Sequence, residues 1–203
     1  MTAAASWEAA DDKLPSEISA LLNASEQPTL SRLNLLAAIP EWQVKLPGGE
    51  RPSCTDILAI TRNDLGLCVI AVEAKVDEDF GPDLTEKRAE PSLGQKQRLD
   101  YLHTLLSVAK FSDRIRYQLL HRTASALLAA KDFHAQSAVM MVQSFGSKTS
   151  VRSDFDAFCK ELGATDLPGG LKVVSRFNEP RLFLGWCDGD KEFLKVDLRS
   201  RPH

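Results

Sequence analysis

The chain has 203 residues, 43% hydrophobic and 26% charged, which suits one folded domain with a real core and excludes wholesale disorder. Its longest apolar run, Leu67 to Val72, is far too short to span a membrane, and residues 1–13 have neither the basic start nor the apolar stretch of a secretion signal. Four cysteines without a CxxC pair and four dispersed histidines exclude a disulfide scaffold and a zinc finger and imply reduced thiols in a cytoplasmic protein, and a net charge of −3 does not by itself advertise nucleic-acid binding.

Residues 1–28 are acidic, rich in alanine and interrupted by Pro15 and Pro28, and read as a helical N-terminal extension. A short helix follows Pro15, with Ile18, Leu21 and Leu22 on one side. Residues 29–203 read as a single domain with strands at its C-terminal end. Leu30, Leu33, Leu36 and Ala37 recur at helical spacing and predict a helix from Thr29 to Ile39, before Pro40. Glu41 to Leu46 alternates like a strand and ends in Leu46-Pro47-Gly48-Gly49, the composition of a type II turn. The same four residue types recur at 167–170 as repeated turn chemistry.

Two strand-like runs follow, Thr55 to Arg62 and Leu67 to Val76, joined by Asn63-Asp64-Leu65-Gly66, a hairpin signature. Ser92 can cap a helix running to about Lys110, and a second helix spans Asp113 to Lys131. Gln136 to Phe145 is apolar without clean alternation and reads as a buried strand. Ser153 to Leu162 is an amphipathic helix ending at Gly163. Strands are expected at Lys172–Arg176, Arg181–Cys187 and Glu192–Val196. The order predicts an α/β fold, a mixed sheet flanked by helices.

The hairpin concentrates the chemistry. With a four-residue loop, Arg62 faces Leu67, and counting outward by pairs puts Asp56 opposite Glu73. Lys75 falls on the same face as Glu73, because strand side chains alternate. Three ionisable groups thus meet on one face of two greasy strands. Two adjacent carboxylates repel unless a cation lies between them, and their hard oxygens suit Mg²⁺ or Mn²⁺. The neighbouring ammonium can hold a water or stabilise charge on a phosphate. The plainer alternative is a salt bridge of Lys75 with either acid on a solvent-facing surface.

Asp56 followed by Glu73-Ala74-Lys75 resembles the acid-and-lysine signature of the PD-(D/E)xK nuclease superfamily, the restriction-endonuclease-like fold. The order of elements over residues 29–145 is similar to its αβββαβ core, with the helix 92–110 inserted. The segment 116–122 and the strand ending in Gln143-Ser144-Phe145 are similar to bacterial members. The resemblance implies that Asp56 and Glu73 are metal ligands for Mg²⁺ or Mn²⁺, and that Lys75 polarises the attacking water. It also implies that Gln118, on the following helix, points into the site. Thr55 stands where the family often has proline, and Arg122 where some branches have tyrosine. The helix 29–39 carries no acid to match the extra glutamate of other members, and neither Glu17 nor Glu26 is clearly placed to do so.

The implied function is metal-dependent hydrolysis of nucleic acid, DNA in the first instance, by a protein that could act as a homodimer. From Lys87 to Arg122 there are eight bases and three acids, a surplus that could face phosphate. Lys96, Arg98, Arg114 and Arg122 are its candidate contacts, with Arg114, Gln118 and Arg122 in one helical stripe and His121 beside it also able to contact phosphate. A solvated helix face is the alternative. Ser144 and Cys187 have no identifiable histidine partner, so a nucleophile–base hydrolase is not expected. The rival to the nuclease is a non-enzymatic binding or assembly module of the same fold, its acid–lysine cluster a relic.

Overall fold

A computed structural model describes residues 2–146 and 148–196. Its centre is one seven-stranded mixed sheet, β1 (Asn34–Val44), β2 (Ser53–Asn63), β3 (Gly66–Lys75), β4 (Ser137–Ser144), β5 (Thr165–Asp166), β6 (Lys172–Asn178) and β7 (Arg181–Asp188), in the order β1-β2-β3-β4-β7-β6-β5. The first three strands form an antiparallel meander, β4 runs parallel to both β3 and β7, and β6 and β5 complete the sheet antiparallel. Helices α1 (Thr2–Ala9), α2 (Ser16–Ala24), α3 (Leu84–Ala89), α4 (Leu93–Leu105), α5 (Tyr117–Asp132) and α6 (Thr149–Glu161) flank it.

Two apolar cores lie on the two faces of the sheet. One is built by Leu58, Val69, Ala71, Met140 and Val142 against α4, α5 and α6. The other is built by Ile57, Ile70, Val72, Val139 and Met141 against Trp7 of α1 and Ile18 and Leu22 of α2. Residues 2–24 therefore roof one face of the sheet. Successive residues of β3 and β4 alternate between the cores, and β4 is buried at every position, as a central parallel strand should be.

The expected helix over 29–39 is absent. Pro28–Leu30 forms a single 3-10 turn, and Asn34 onward is β1. Leu33 and Leu35 pack inward while Leu36 is exposed, so the segment alternates with period two. Leu30 belongs to the 3-10 turn and Leu36 and Ala37 to the strand, so the apparent helical spacing runs across two different elements. Pro40 is tolerated because β1 is an edge strand, paired with β2 alone. The helix that precedes the three strands is α2.

Two further expectations are corrected. The stretch Glu192–Val196 is not a strand; Lys191–Lys195 is a 3-10 helix, started by the Asp190 side chain accepting from Glu192 N at 2.9 Å. The region between β3 and α5 holds two helices, because Asp83 and Glu86 close a capping box that starts α3 before Ser92 and Gln95 close a second one at α4. Gly48 takes a φ of 78° in the first LPGG turn, as a type II turn demands, and packs so tightly on Gly94 that a side chain would collide with the Gly94 carbonyl.

Candidate active site

The hairpin register is the one the sequence implies. Asn63 pairs with Gly66, Arg62 with Leu67 and Ile57 with Val72, which carries Asp56 to the level of Glu73. The Asp56 carboxylate accepts a hydrogen bond from the Ala74 N–H at 2.7 Å, tying the two strand ends together. Glu73 and Lys75 are 3% and 4% exposed, so the pair is buried and not a surface salt bridge. Both point toward α5.

Helix α5 supplies the other half of the site. It starts at Tyr117 and presses Leu119, Leu120, Ala124 and Leu127 into the core, which turns Gln118 and Arg122, one turn apart, toward the end of β3. Lys75 Nζ lies 3.0 Å from Glu73 Oε1 and donates to Gln118 Oε1 at 2.9 Å. Gln118 Nε2 donates to the same Glu73 oxygen at 2.5 Å. Arg122 Nε ion-pairs with the other oxygen, Glu73 Oε2. Lys75 Nζ also stands 4.9 Å from the centre of the buried Phe80 ring.

A second layer holds Arg122. Its guanidinium donates to Ser53 Oγ at 2.9 Å, and Ser53 Oγ lies 2.9 Å from His121 Nδ1. Arg122 Nη1 also lies 3.4 Å from His121 Nδ1, and because a guanidinium can only donate, this contact calls for a bare Nδ1 that accepts from the Ser53 hydroxyl as well. That requires neutral imidazole. Burial, then the cations of Arg122, Arg98, Lys87 and Lys75, push the His121 pKa down to about 3. His121 is therefore a fixed hydrogen-bond acceptor at physiological pH and not a general base.

Asp56 behaves in the opposite sense. Burial and the nearby Glu73 charge raise its pKa to about 6, opposed by the Ala74 hydrogen bond, Arg122 and Lys75. A pocket of about 210 Å³ opens beside it, lined also by Glu41, Ala74, Glu78 and the first residues of α1. Pro40 pairs with Ile57 and Trp42 with Thr55, which brings Glu41 level with Asp56 on the neighbouring strand. The Glu41 carboxylate accepts from Cys54 Sγ at 3.1 Å and helps hold that thiol protonated, with a pKa near 11.

The sequence-derived residues divide cleanly. Asp56, Glu73, Lys75 and Gln118 come together on one face. Arg122 joins them as an ion-pair partner inside the site and not as a surface contact. Arg98 donates to the carbonyls of Pro47 at 2.9 Å, Gly49 at 3.1 Å and Leu46 at 3.2 Å, clamping the LPGG turn. Arg114 precedes α5, so the stripe through Gln118 and Arg122 does not include it; it lies 3.7 Å from Glu161. Lys96 is exposed on α4. His121, expected to meet phosphate, lies instead against Ser53. Ser53 and Glu41 were not foreseen: Ser53 carries no local motif, and Glu41 became visible only once β1 was paired with β2.

Glu17, the acid of the helix before the strands, accepts from Gln143 at 2.7 Å in the core on the other face of the sheet. Among the described residues no three His, Cys, Asp or Glu side chains form a group able to hold a metal ion. All four cysteines are free, and burial raises the pKa of each, so none is an activated thiolate. Among the described residues no helix is long and apolar enough to cross a membrane.

No curated protein and no solved structure matched the chain. A family model matches residues 1–191, nearly the whole chain, and with that match the protein belongs to the DUF6946 family, described as a domain of unknown function.

Proposed function

We propose that the protein is a metal-dependent nuclease, hydrolysing phosphodiesters of DNA at a PD-(D/E)xK-type site on a restriction-endonuclease-like core. The observation that carries the reading is Lys75, held between Glu73 at 3.0 Å and Gln118 at 2.9 Å on the face that also bears Asp56. An ammonium fixed by two side chains costs no reorganisation when charge develops beside it.

The donor set fits Mg²⁺ or Mn²⁺. Such an ion takes one or two carboxylates and keeps several waters or substrate phosphate oxygens, so Asp56 and Glu73 suffice without a third protein ligand. The raised pKa of Asp56 reports the same appetite for positive charge. When bound, the ion supplies Lewis-acid stabilisation of the phosphate. Lys75 holds and orients the attacking water, Gln118 fixes Lys75, and the Ala74 N–H keeps the Asp56 carboxylate turned to the strand end.

Replacing Asp56 by Ala tests the assignment. Mn²⁺- or Mg²⁺-dependent cleavage of plasmid or oligonucleotide DNA is lost in D56A, while circular dichroism shows the chain still folded. Cleavage that survives the substitution overturns the reading.

One observation favours the rival, a non-enzymatic binding module with a relic site. Both Glu73 oxygens already carry partners, Lys75 and Gln118 on one and Arg122 on the other. The two readings part on DNA affinity. A nuclease binds DNA with an affinity that falls steeply as salt rises, and a protein-binding module shows little DNA affinity at any salt.

A further inference from the structure

Glu73 is buried, and a buried carboxylate requires a counter-charge. The site provides more than Lys75. The Arg122 side chain, 11% exposed, ion-pairs with Glu73 and is anchored at its far end by Ser53, itself buried. The two Glu73 oxygens are taken by two cations, Lys75 on one and Arg122 on the other, while the remaining acids, Asp56, Glu41 and Glu78, line the pocket beside it. A divalent cation brought to Glu73 with both in place would compete with them for the carboxylate and be repelled by their charge.

With Arg122 withdrawn, one Glu73 oxygen is free to share a divalent cation with Asp56, and a phosphodiester brings negative charge for both the cation and the arginine. The released guanidinium is itself the side chain best shaped to grip phosphate, through two parallel N–H donors. Arginine at 122 thus has one partner when the site is at rest and another of the same sign when substrate arrives.

Building on the nuclease reading, we propose that Arg122 is a tethered counter-ion occupying the cation's place on Glu73, and that a phosphodiester backbone draws it away so that divalent ion and nucleic acid bind together. The free protein then holds divalent ions weakly. Arg122 acts as a positioning residue through Glu73, on binding and not on the bond-breaking step.

Titration calorimetry with Mn²⁺ tests this without any assay of turnover. R122Q removes the tethered charge and binds Mn²⁺ about tenfold or more tightly than the wild type, whereas R122K retains the weak binding. The double variant R122Q/D56N loses the gain, which places the ion at this site. A second measurement uses the wild type alone: a cleavage-resistant phosphorothioate DNA duplex tightens its Mn²⁺ affinity. Equal or weaker Mn²⁺ binding by R122Q, or no effect of the duplex on the wild type, overturns the exchange. DNA cleavage by the wild type with Mn²⁺ affinity unchanged in R122Q overturns the exchange and leaves the nuclease reading standing. A gain in R122Q, with no cleavage by any form, leaves the exchange standing and removes the nuclease.

Discussion

Two buried polar clusters sit back to back at the same end of the sheet, and they are built on opposite principles. On the α5 side, Glu73 and Lys75 of β3 meet Gln118 and Arg122 in an ionic network. On the α1 and α2 side, Gln143 of β4, fully buried, accepts from Trp7 Nε1 at 3.2 Å and donates to Ser6 Oγ at 3.2 Å and Glu17 at 2.7 Å. Ala74 and Gln143 are register partners, so the two clusters are separated by little more than the thickness of the sheet. A neutral amide offers donors and an acceptor together and satisfies Trp7, Ser6 and the Glu17 carboxylate without adding a charge of its own. Its contacts span more than a hundred residues of sequence and staple the N-terminal helices to the sheet. The ionic cluster is the costlier way to fill a core, since a hydrophobic replacement of a buried ion pair is often as stable.

The comparison is broken most severely at Glu73. Glu73→Gln leaves Lys75 and Arg122 close together and buried, with only the half-buried Asp56 to offset them, and lowers unfolding free energy by about 3–5 kcal/mol. Denaturant titration measures the loss, and adding R122Q to the same chain recovers part of it, because the excess charge goes too. A loss below about 1 kcal/mol would mean that the cluster is far better hydrated than its burial implies.

The cluster around Gln143 responds more mildly. Gln143→Leu keeps the volume but strands Trp7 Nε1–H and removes a partner from Ser6 and from Glu17, costing about 2–3 kcal/mol. The variant loses stability while its ionic cluster, and with it any metal-dependent cleavage per folded molecule, stays intact. Equal damage to cleavage would show that α1 and α2 are part of the site and not only its roof.

The two clusters also differ in how far the sequence announced them. The Asn63–Gly66 loop and the period-two pattern of β3 place Asp56, Glu73 and Lys75 on one face, because a strand's two-residue repeat leaves a single alternative. Gln118 was reached through a resemblance, and the structure puts it on Lys75. The link from Arg122 to Glu73 was hidden, since a polar stripe on a helix looks the same whether it meets water or a buried acid. Arg114 shows the converse error: its spacing was right, but α5 begins three residues after it. Gln143 gave no sign of its partners, which lie 126 to 137 residues away in the chain. The first half of β1 was misread because Leu30, Leu33, Leu36 and Ala37 recur at helical spacing across a 3-10 turn and the start of a strand. With β1 went Glu41, whose place beside Asp56 depends on strand pairing.

The finest distinction between the clusters is their response to pH, and Asp56 sets it. Facing it are Glu73 and Lys75 from β3, Arg122 from α5 and, on β1, Glu41, with Glu78 also lining the pocket. Burial and Glu73 raise its pKa from 3.8 to about 6, so the folded chain binds a proton there more tightly than the unfolded chain does. The stability this contributes is complete below about pH 4 and is lost as pH rises through about 6. Asparagine cannot ionise yet still offers an oxygen to the Ala74 N–H. Asp56→Asn is therefore more stable than the wild type at pH 8 by about 1–2 kcal/mol, allowing for solvent screening of a half-buried group. The advantage shrinks toward zero as pH falls to 4. Melting curves of both forms at pH 4, 6 and 8 measure it, and a pH-independent difference would show that the gain has another origin. Stability gained together with complete loss of cleavage in this variant is the pattern of a residue kept for chemistry at the expense of the fold.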